Sequence, residues 1–288
     1  MAPKVLVTGA AGQLARAIVE AFAGDHEVIA LARADLDITD AAAVEARIDA
    51  ERPAIVINCA SDNDVDGAQK HPVRALEINA FGARAVARAL ERHDAILVHY
   101  SSDFVFDGTA GRPYTEDDRP NPQSVYAASK LLGEWFALEV PRGFVLRVES
   151  LFGAPPGRGP ARSSLDRIVA GIEAGDEVPV FTDRTVSPSL VGDVAWATRR
   201  VLAASVAPGV YHCVNSGACS WMDIALEAGR LLGREPRLRP VTLAGMALPA
   251  PRPRFCALDN AKLASLGIVM PAWQDALARH IRSRRTQG

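Results

Sequence analysis

Along the first half of the chain, short apolar runs rich in β-branched residues alternate with longer stretches whose apolar positions recur at helical spacing. Val5, Leu6 and Val7 make residues 4–8 a buried strand, while Leu14, Ile18 and Phe22 form one stripe of a helix over 14–22. The same pattern predicts strands at 27–31, 54–58, 95–100 and 143–148. It predicts helices opening near 39–40, with Thr39 or Asp40 as N-cap, over 72–92 with Pro72 at its start, and over 125–138. Strands that are apolar throughout, separated by helices, imply a parallel sheet covered on both faces. Right-handed crossovers make this an α/β, doubly wound parallel sheet, with ligands at the strand C-terminal ends.

After Gly153 the texture changes. Residues 154–160 and 249–253 are rich in Pro and Gly and read as irregular. Helical patterns follow at 165–174, 193–204, 221–232 and 273–281, with short strands at 178–181 and 210–214. The expected division is 1–151 as a dinucleotide-binding region and 152–288 as a smaller, mainly substrate-binding region, some of whose segments return to the first. No internal repeat is visible.

Composition narrows the classes. In 288 residues, 49% are hydrophobic and 23% charged, which is globular and not disordered. Lys and Arg total 32 against 34 Asp and Glu, so nothing electrostatic recommends nucleic acid or an anionic membrane as partner. Cys59, Cys213, Cys219 and Cys256 are widely spaced, which argues against a disulfide framework or zinc site and for a reducing cytoplasm. The N-terminal apolar run is too short for a signal peptide, and no stretch is long enough to span a bilayer. The basic end, residues 282–285, suits a helix C-terminus, with fraying expected there.

Thr8-Gly9-Ala10-Ala11-Gly12-Gln13-Leu14-Ala15 leaves the first strand and opens the first helix. Gly9 and Gly12 permit a tight turn and close approach to a pyrophosphate seated on the helix N-terminus. The spacing is G-x-x-G-x-x-A, with Ala15 where a third glycine would serve only packing. After the second strand, Arg33 favours the 2′-phosphate of NADP, while nearby Asp35 leaves NAD open. Asp37-Ile38 would lie against the adenine, with Asp37 equally able to cap the following helix.

Tyr126-Ala127-Ala128-Ser129-Lys130 places a phenol and an ammonium on one helix face. A phenol titrates near pH 10, and a neighbouring ammonium would lower that value toward use in acid–base chemistry. Ser102, just past the fourth strand, could hydrogen-bond a substrate carbonyl. Each alone has a bland counterpart: an amphipathic helix surface for the pair, a loop cap for the serine.

Together these segments resemble the dTDP-4-dehydrorhamnose reductase family of extended short-chain dehydrogenases/reductases, a Rossmann-fold group. The resemblance rests on residues 7–14, 36–40, 56–60, 77–80, on Ser101-Ser102-Asp103-Phe104-Val105-Phe106-Asp107-Gly108, on Pro120-Asn121-Pro122-Gln123-Ser124-Val125-Tyr126, and on 187–191. It implies reduction of a nucleotide-linked 4-keto sugar by NADPH, or NADH. Tyr126 would donate the proton. Lys130 would lower its pKa and hold the nicotinamide ribose. Ser102 would polarise the carbonyl. The implied cofactor contacts are Gly9, Ala11, Gly12, Gln13, Leu14, Arg33, Asp37, Ile38, Cys59, Ala60, Ser61, Asn79 and Lys130. The implied substrate contacts are Ser102, Asp103, Phe104, Val105, Tyr126 and Ser150.

Several positions depart from the family. Phe104 stands where Tyr is usual, and Ser150 where a Trp often lies against the sugar. Ser163-Ser164-Leu165 replaces Asn-Phe-Val, and Ala60-Ser61-Asp62-Asn63 lacks the common aromatic. Ketone reduction therefore survives the comparison better than the identity of the sugar. Some relatives hold Mg2+ at a homodimer interface, but its ligands do not map onto this chain, and no metal site is assigned. Residues 62–67 begin like a calcium loop yet put Val73 where a bidentate Glu is needed. The rival reading is a dinucleotide-binding regulatory subunit like the methionine adenosyltransferase beta subunit; an epimerase ranks third.

Overall fold

A computed structural model describes residues 2–153, 163–204 and 206–285. Six strands form one sheet: β1 (Lys4–Thr8), β2 (Glu27–Leu31), β3 (Ile55–Asn58), β4 (Ile96–Ser102), β5 (Gly143–Val148) and β6 (Gly209–His212). Their order is β2-β1-β3-β4-β5-β6, and every pairing is parallel. Side chains alternate across such a sheet. Val5, Val7, Ile57, Val98 and Leu146 enter one core with Leu14, Ile18 and Phe22, and Leu6, Val56, Leu97 and Val145 enter another. This double burial is why the strands are apolar at nearly every position.

The longer helices are α1 (Gln13–Phe22), α2 (Ala41–Glu51), a composite α3, α4 (Val125–Leu138), α5 (Ser164–Ala174), α6 (Val191–Ala203), α7 (Trp221–Leu232) and α8 (Trp273–Arg285). The cap of α2 is Asp40, whose carboxylate accepts the Ala43 N–H, and Thr39 does not serve. Helix α3 runs through Pro72–Leu76, a π-helical turn over Glu77–Gly82, and Ala83–Ala89, stopping short of the expected residue 92. β4 extends two residues beyond its expected end, because Ser101 and Ser102 stay in register with β5. The strand foreseen over 210–214 is β6, an edge of the main sheet.

A further core joins Phe152, Leu165, Ile224 and Leu277, drawn from α5, α7, α8 and the chain after β5. There Glu177–Phe181 pairs with Arg237–Val241, a strand the sequence pattern did not indicate. The α8 pattern runs four residues past the expected 281, and Arg284 donates to Glu173. The irregular stretch 154–160 lies outside the described residues, as does the extreme C-terminus.

Deep between α4 and β5, Arg147 donates from Nε and Nη2 to the two oxygens of Glu134, both at 2.8 Å. The pair is almost fully buried, so its charges depend on one another. Replacing Glu134 with Ala should lower unfolding free energy by about 3–5 kcal/mol, read from chemical denaturation.

Candidate active site

Because β1 pairs with β2 on one side and β3 on the other, the crossovers leave in opposite directions. The strand ends open a crevice there. Gly9 lines the turn at φ +66, and a Cβ on it would lie 2.7 Å from the backbone of Ala60. Its glycine character thus answers to the loop after β3 as well as to any ligand. Gly12 caps α1 in extended geometry, with no side chain accepting from the first turn and no acid in it. Those N–H groups suit an anion. Ala11 is exposed in the turn, Leu14 is buried beneath it, and Gln13 donates to Leu151 O at 3.2 Å.

At the end of β2, the Arg33 side chain is 70% exposed and pairs with Asp37 at 3.1 Å. Asp35 accepts the Ala32 N–H, which ties it into its own turn. Asp37 accepts from the Thr39 N–H and hydroxyl, which hold its carboxyl below the usual range, with Arg33 adding to the effect. The Ile38 side chain is buried against Gly82 and does not present a surface.

The strand C-termini open into a cleft of about 520 Å³. Ser102, Tyr126 and Lys130 all line it, with Cys59, Ala60, Ser61, Asp103, Phe104 and Ser150. Ser102 arrives on the extended β4, Tyr126 and Lys130 on the first turns of α4, whose N-cap Ser124 accepts the Ala127 N–H. Phe104 meets Tyr126 edge-on at 5.6 Å. Val105 is fully buried with Phe106 and Tyr114, away from the cleft, so the expected substrate contact through its side chain is not made.

Lys130 Nζ donates to Tyr100 O at 2.6 Å and to Ser61 Oγ at 3.4 Å. Burial pulls its pKa down to about 8, with Glu134 and then Cys59 opposing. The Tyr126 phenol is pushed above its ordinary value by burial, then by the carboxylates of Asp103 and Asp62, while a hydrogen bond with Ser102 opposes them. The expectation that Lys130 lowers this phenol is not met in this arrangement. The ammonium is engaged by Tyr100 and Ser61, and desolvation dominates.

Asn79 does not face the cleft. From the π-helical turn of α3 it accepts from Ser61 Oγ and the Asp62 N–H, and donates to Asp62 O and Ser129 Oγ. It therefore fastens the loop after β3 to the helix that carries Tyr126 and Lys130.

Other cleft residues escaped the sequence reading. Arg167, Arg184 and Arg252 line it and bring cations to the cleft. Arg252 grips Asp66 through two bonds, at 3.0 and 2.7 Å. No local motif marks them, since the tertiary fold alone brings 163–184 and 249–253 to the crevice. Glu149 had a usable signal, a carboxylate directly after a fully buried strand. Among the described residues, the cluster able to offer three metal ligands is Asp103, Glu149 and Cys256. Magnesium prefers an all-oxygen shell, and this cluster contains a thiol and faces Arg184. It does not fit that ion.

A dinucleotide crevice with a phenol, a lysine and a serine hydroxyl on one wall is the architecture of a short-chain oxidoreductase. The RmlD substrate binding domain family matches residues 3–286, and the chain belongs to that family. It is 37% identical to a dTDP-4-dehydrorhamnose reductase of Streptomyces griseus, covering 96% of this chain and 92% of the relative. It is 34% identical to a dTDP-4-keto-6-deoxy-D-glucose reductase of Streptomyces niveus, covering 97% and 96%. A solved dTDP-4-dehydrorhamnose reductase of Bacillus anthracis, in complex with NADP, superposes with a TM-score of 0.91 at 31% identity, covering 98% of this chain and 100% of that one.

The bonding of Asn79 has a measurable weight. Asn79→Ala should cost about 2 kcal/mol in urea unfolding, because it strands the Asp62 N–H and frees the loop that Lys130 contacts.

Proposed function

We propose that this protein reduces the C4 ketone of a nucleotide-diphospho-4-keto-6-deoxysugar with NADPH, converting dTDP-4-dehydro-L-rhamnose to dTDP-L-rhamnose as the first substrate to test. The observation that carries the reading is the meeting of Ser102, Tyr126 and Lys130 in one cleft at the sheet's switch point. The uncapped N-terminus of α1 and the close-packed Gly9 turn fit a dinucleotide pyrophosphate. When bound, the nicotinamide would supply hydride to C4.

Tyr126 protonates the developing alkoxide, and Ser102 polarises the carbonyl. Lys130 holds the nicotinamide ribose, and its charge would favour the phenolate left after proton transfer. Arg167, Arg184 and Arg252 give the sugar nucleotide's diphosphate its cationic partners. Residues 1–151 hold the cofactor, and 152–288 largely cover the sugar. Exposed Arg33, with Asp35 tied to its own turn, supports NADPH over NADH.

The protein acts in the cytoplasm in this reading. Its four cysteines are free, and among the described residues no helix is long and apolar enough to cross a membrane. Phe81 and Trp135, exposed on α3 and α4, offer apolar surface to a homodimer.

Tyr126→Phe should lower kcat by about 10²–10⁴-fold while NADPH still binds, measured by fluorescence titration beside steady-state turnover. Unchanged turnover would remove Tyr126 from its role. Absence of NADPH oxidation by the wild-type chain across a panel of 4-keto nucleotide sugars, with no partner protein added, would favour a regulatory subunit instead. Arg33→Glu should raise the KM for NADPH about tenfold or more and leave that for NADH nearly unchanged. Equal effects on both would count against a 2′-phosphate contact.

A further inference from the structure

Glu149 and Asp103 form the floor of the cleft beside Ser102, and the reductase reading gives Glu149 no role. Both side chains are almost wholly buried. A carboxylate oxygen of each lies, with Cys256 Sγ, in a group whose atoms are all within 4.8 Å of one another. Glu149 Oε2 accepts the Ser187 N–H at 2.6 Å, and Asp103 Oδ1 accepts the Ser102 hydroxyl at 2.8 Å. The second oxygen of each, Glu149 Oε1 and Asp103 Oδ2, is buried with no hydrogen-bond partner. Two adjacent carboxylates cannot both stay ionised in such a place without strong repulsion. One proton between them relieves the repulsion and satisfies a bare oxygen.

This bears directly on Ser102. Its hydroxyl has one hydrogen, and that hydrogen now points to Asp103. Its oxygen also accepts the Phe104 N–H at 3.2 Å and is in hydrogen-bonding contact with the Tyr126 phenol. An ionised Asp103 holds the Ser102 hydrogen. With a proton shared on its other oxygen, Asp103 Oδ1 is a weaker acceptor and lets that hydrogen turn toward a ketone oxygen. We propose that Asp103 and Glu149 share one proton, and that Glu149 is thereby a positioning residue that turns the Ser102 hydroxyl toward the substrate carbonyl. The proposal rests on the role given to Ser102 above.

The surroundings are consistent with a held proton. Burial pushes Asp103 up to about 6, against Ser102 and Arg184, and burial followed by Asp103 pushes Glu149 further. The charged and titratable groups facing the pair are Arg184, Cys256, Tyr126 and Cys219; Arg184 favours the doubly ionised state, and the Cys256 thiol favours ionised Asp103 by a hydrogen bond. The pair titrates as a unit. As pH rises through that titration the proton leaves, Asp103 captures the Ser102 hydrogen, and kcat falls.

Glu149→Gln cannot share the proton and should behave at every pH like the wild type above the titration. Its kcat should drop about tenfold, with KM within about twofold, and the alkaline inflection belonging to the pair should vanish. In a Ser102→Ala background the Glu149→Gln loss should largely disappear, because Glu149 acts through Ser102. A wild-type pH profile in Glu149→Gln, or additive losses in the double variant, overturns the proposal. Infrared spectroscopy of the wild-type protein needs neither turnover nor a variant. The carbonyl stretch of a protonated carboxyl should persist at a pH where exposed carboxyls are ionised. Its absence overturns the shared proton. Its presence in a protein that reduces no 4-keto sugar would locate the failure in the reductase reading instead.

Discussion

Backbone hydrogen bonds flank β1 on both sides, to β2 and to β3, and the crossovers from this central strand leave in opposite directions. The crevice exists because of that reversal. The turn after β1 then faces the loop after β3 so closely that Gly9 and Ala60 leave no space for a side chain between them. The Ser102 end of β4 opens into the same gap, and α4 lays Tyr126 and Lys130 against it. Without the doubly flanked β1, these groups would share no solvent-accessible space.

The cleft also shows how a fold imposes electrostatic conditions on its own chemistry. Burial moves Lys130 toward its neutral form, raises the Tyr126 phenol, and raises the two carboxyls beside Ser102. Desolvation disfavours whichever form is charged, so bases are depressed and acids raised together. The result is a site whose groups sit nearer neutrality than they would in water, with three arginines among its lining.

The doubly wound sheet was legible because parallel strands buried on both faces must be apolar at almost every position, and the intervening helices show their stripes. The Gly9 turn, Ser102 and the Tyr126–Lys130 pair were legible because local spacing carries them. Boundaries shifted where tertiary pairing prolonged an element, as at Ser101 and Ser102. Three arginines were not read, since they gain meaning only when distant segments meet, and Glu149 was passed over although a carboxylate directly after a buried strand marks it. Val105 misled for the opposite reason: it belongs to a recognisable segment, yet the single helical turn after β4 directs it into the core. The direction of the Tyr126 shift was missed because sequence proximity to Lys130 says nothing about desolvation or about the competing carbonyl of Tyr100.

The wide π turn of α3 has a consequence for heredity. It carries Asn79 to the loop after β3 while Val86 and Leu90, further along, still face the core. A π turn holds one residue more than an α turn, so loss of one codon there would let it relax to ordinary α geometry and leave Val86 and Leu90 facing the core. What would go is the reach of Asn79 to the loop after β3. A shortening of this stretch would therefore cost the cleft its clasp before it cost the fold its core.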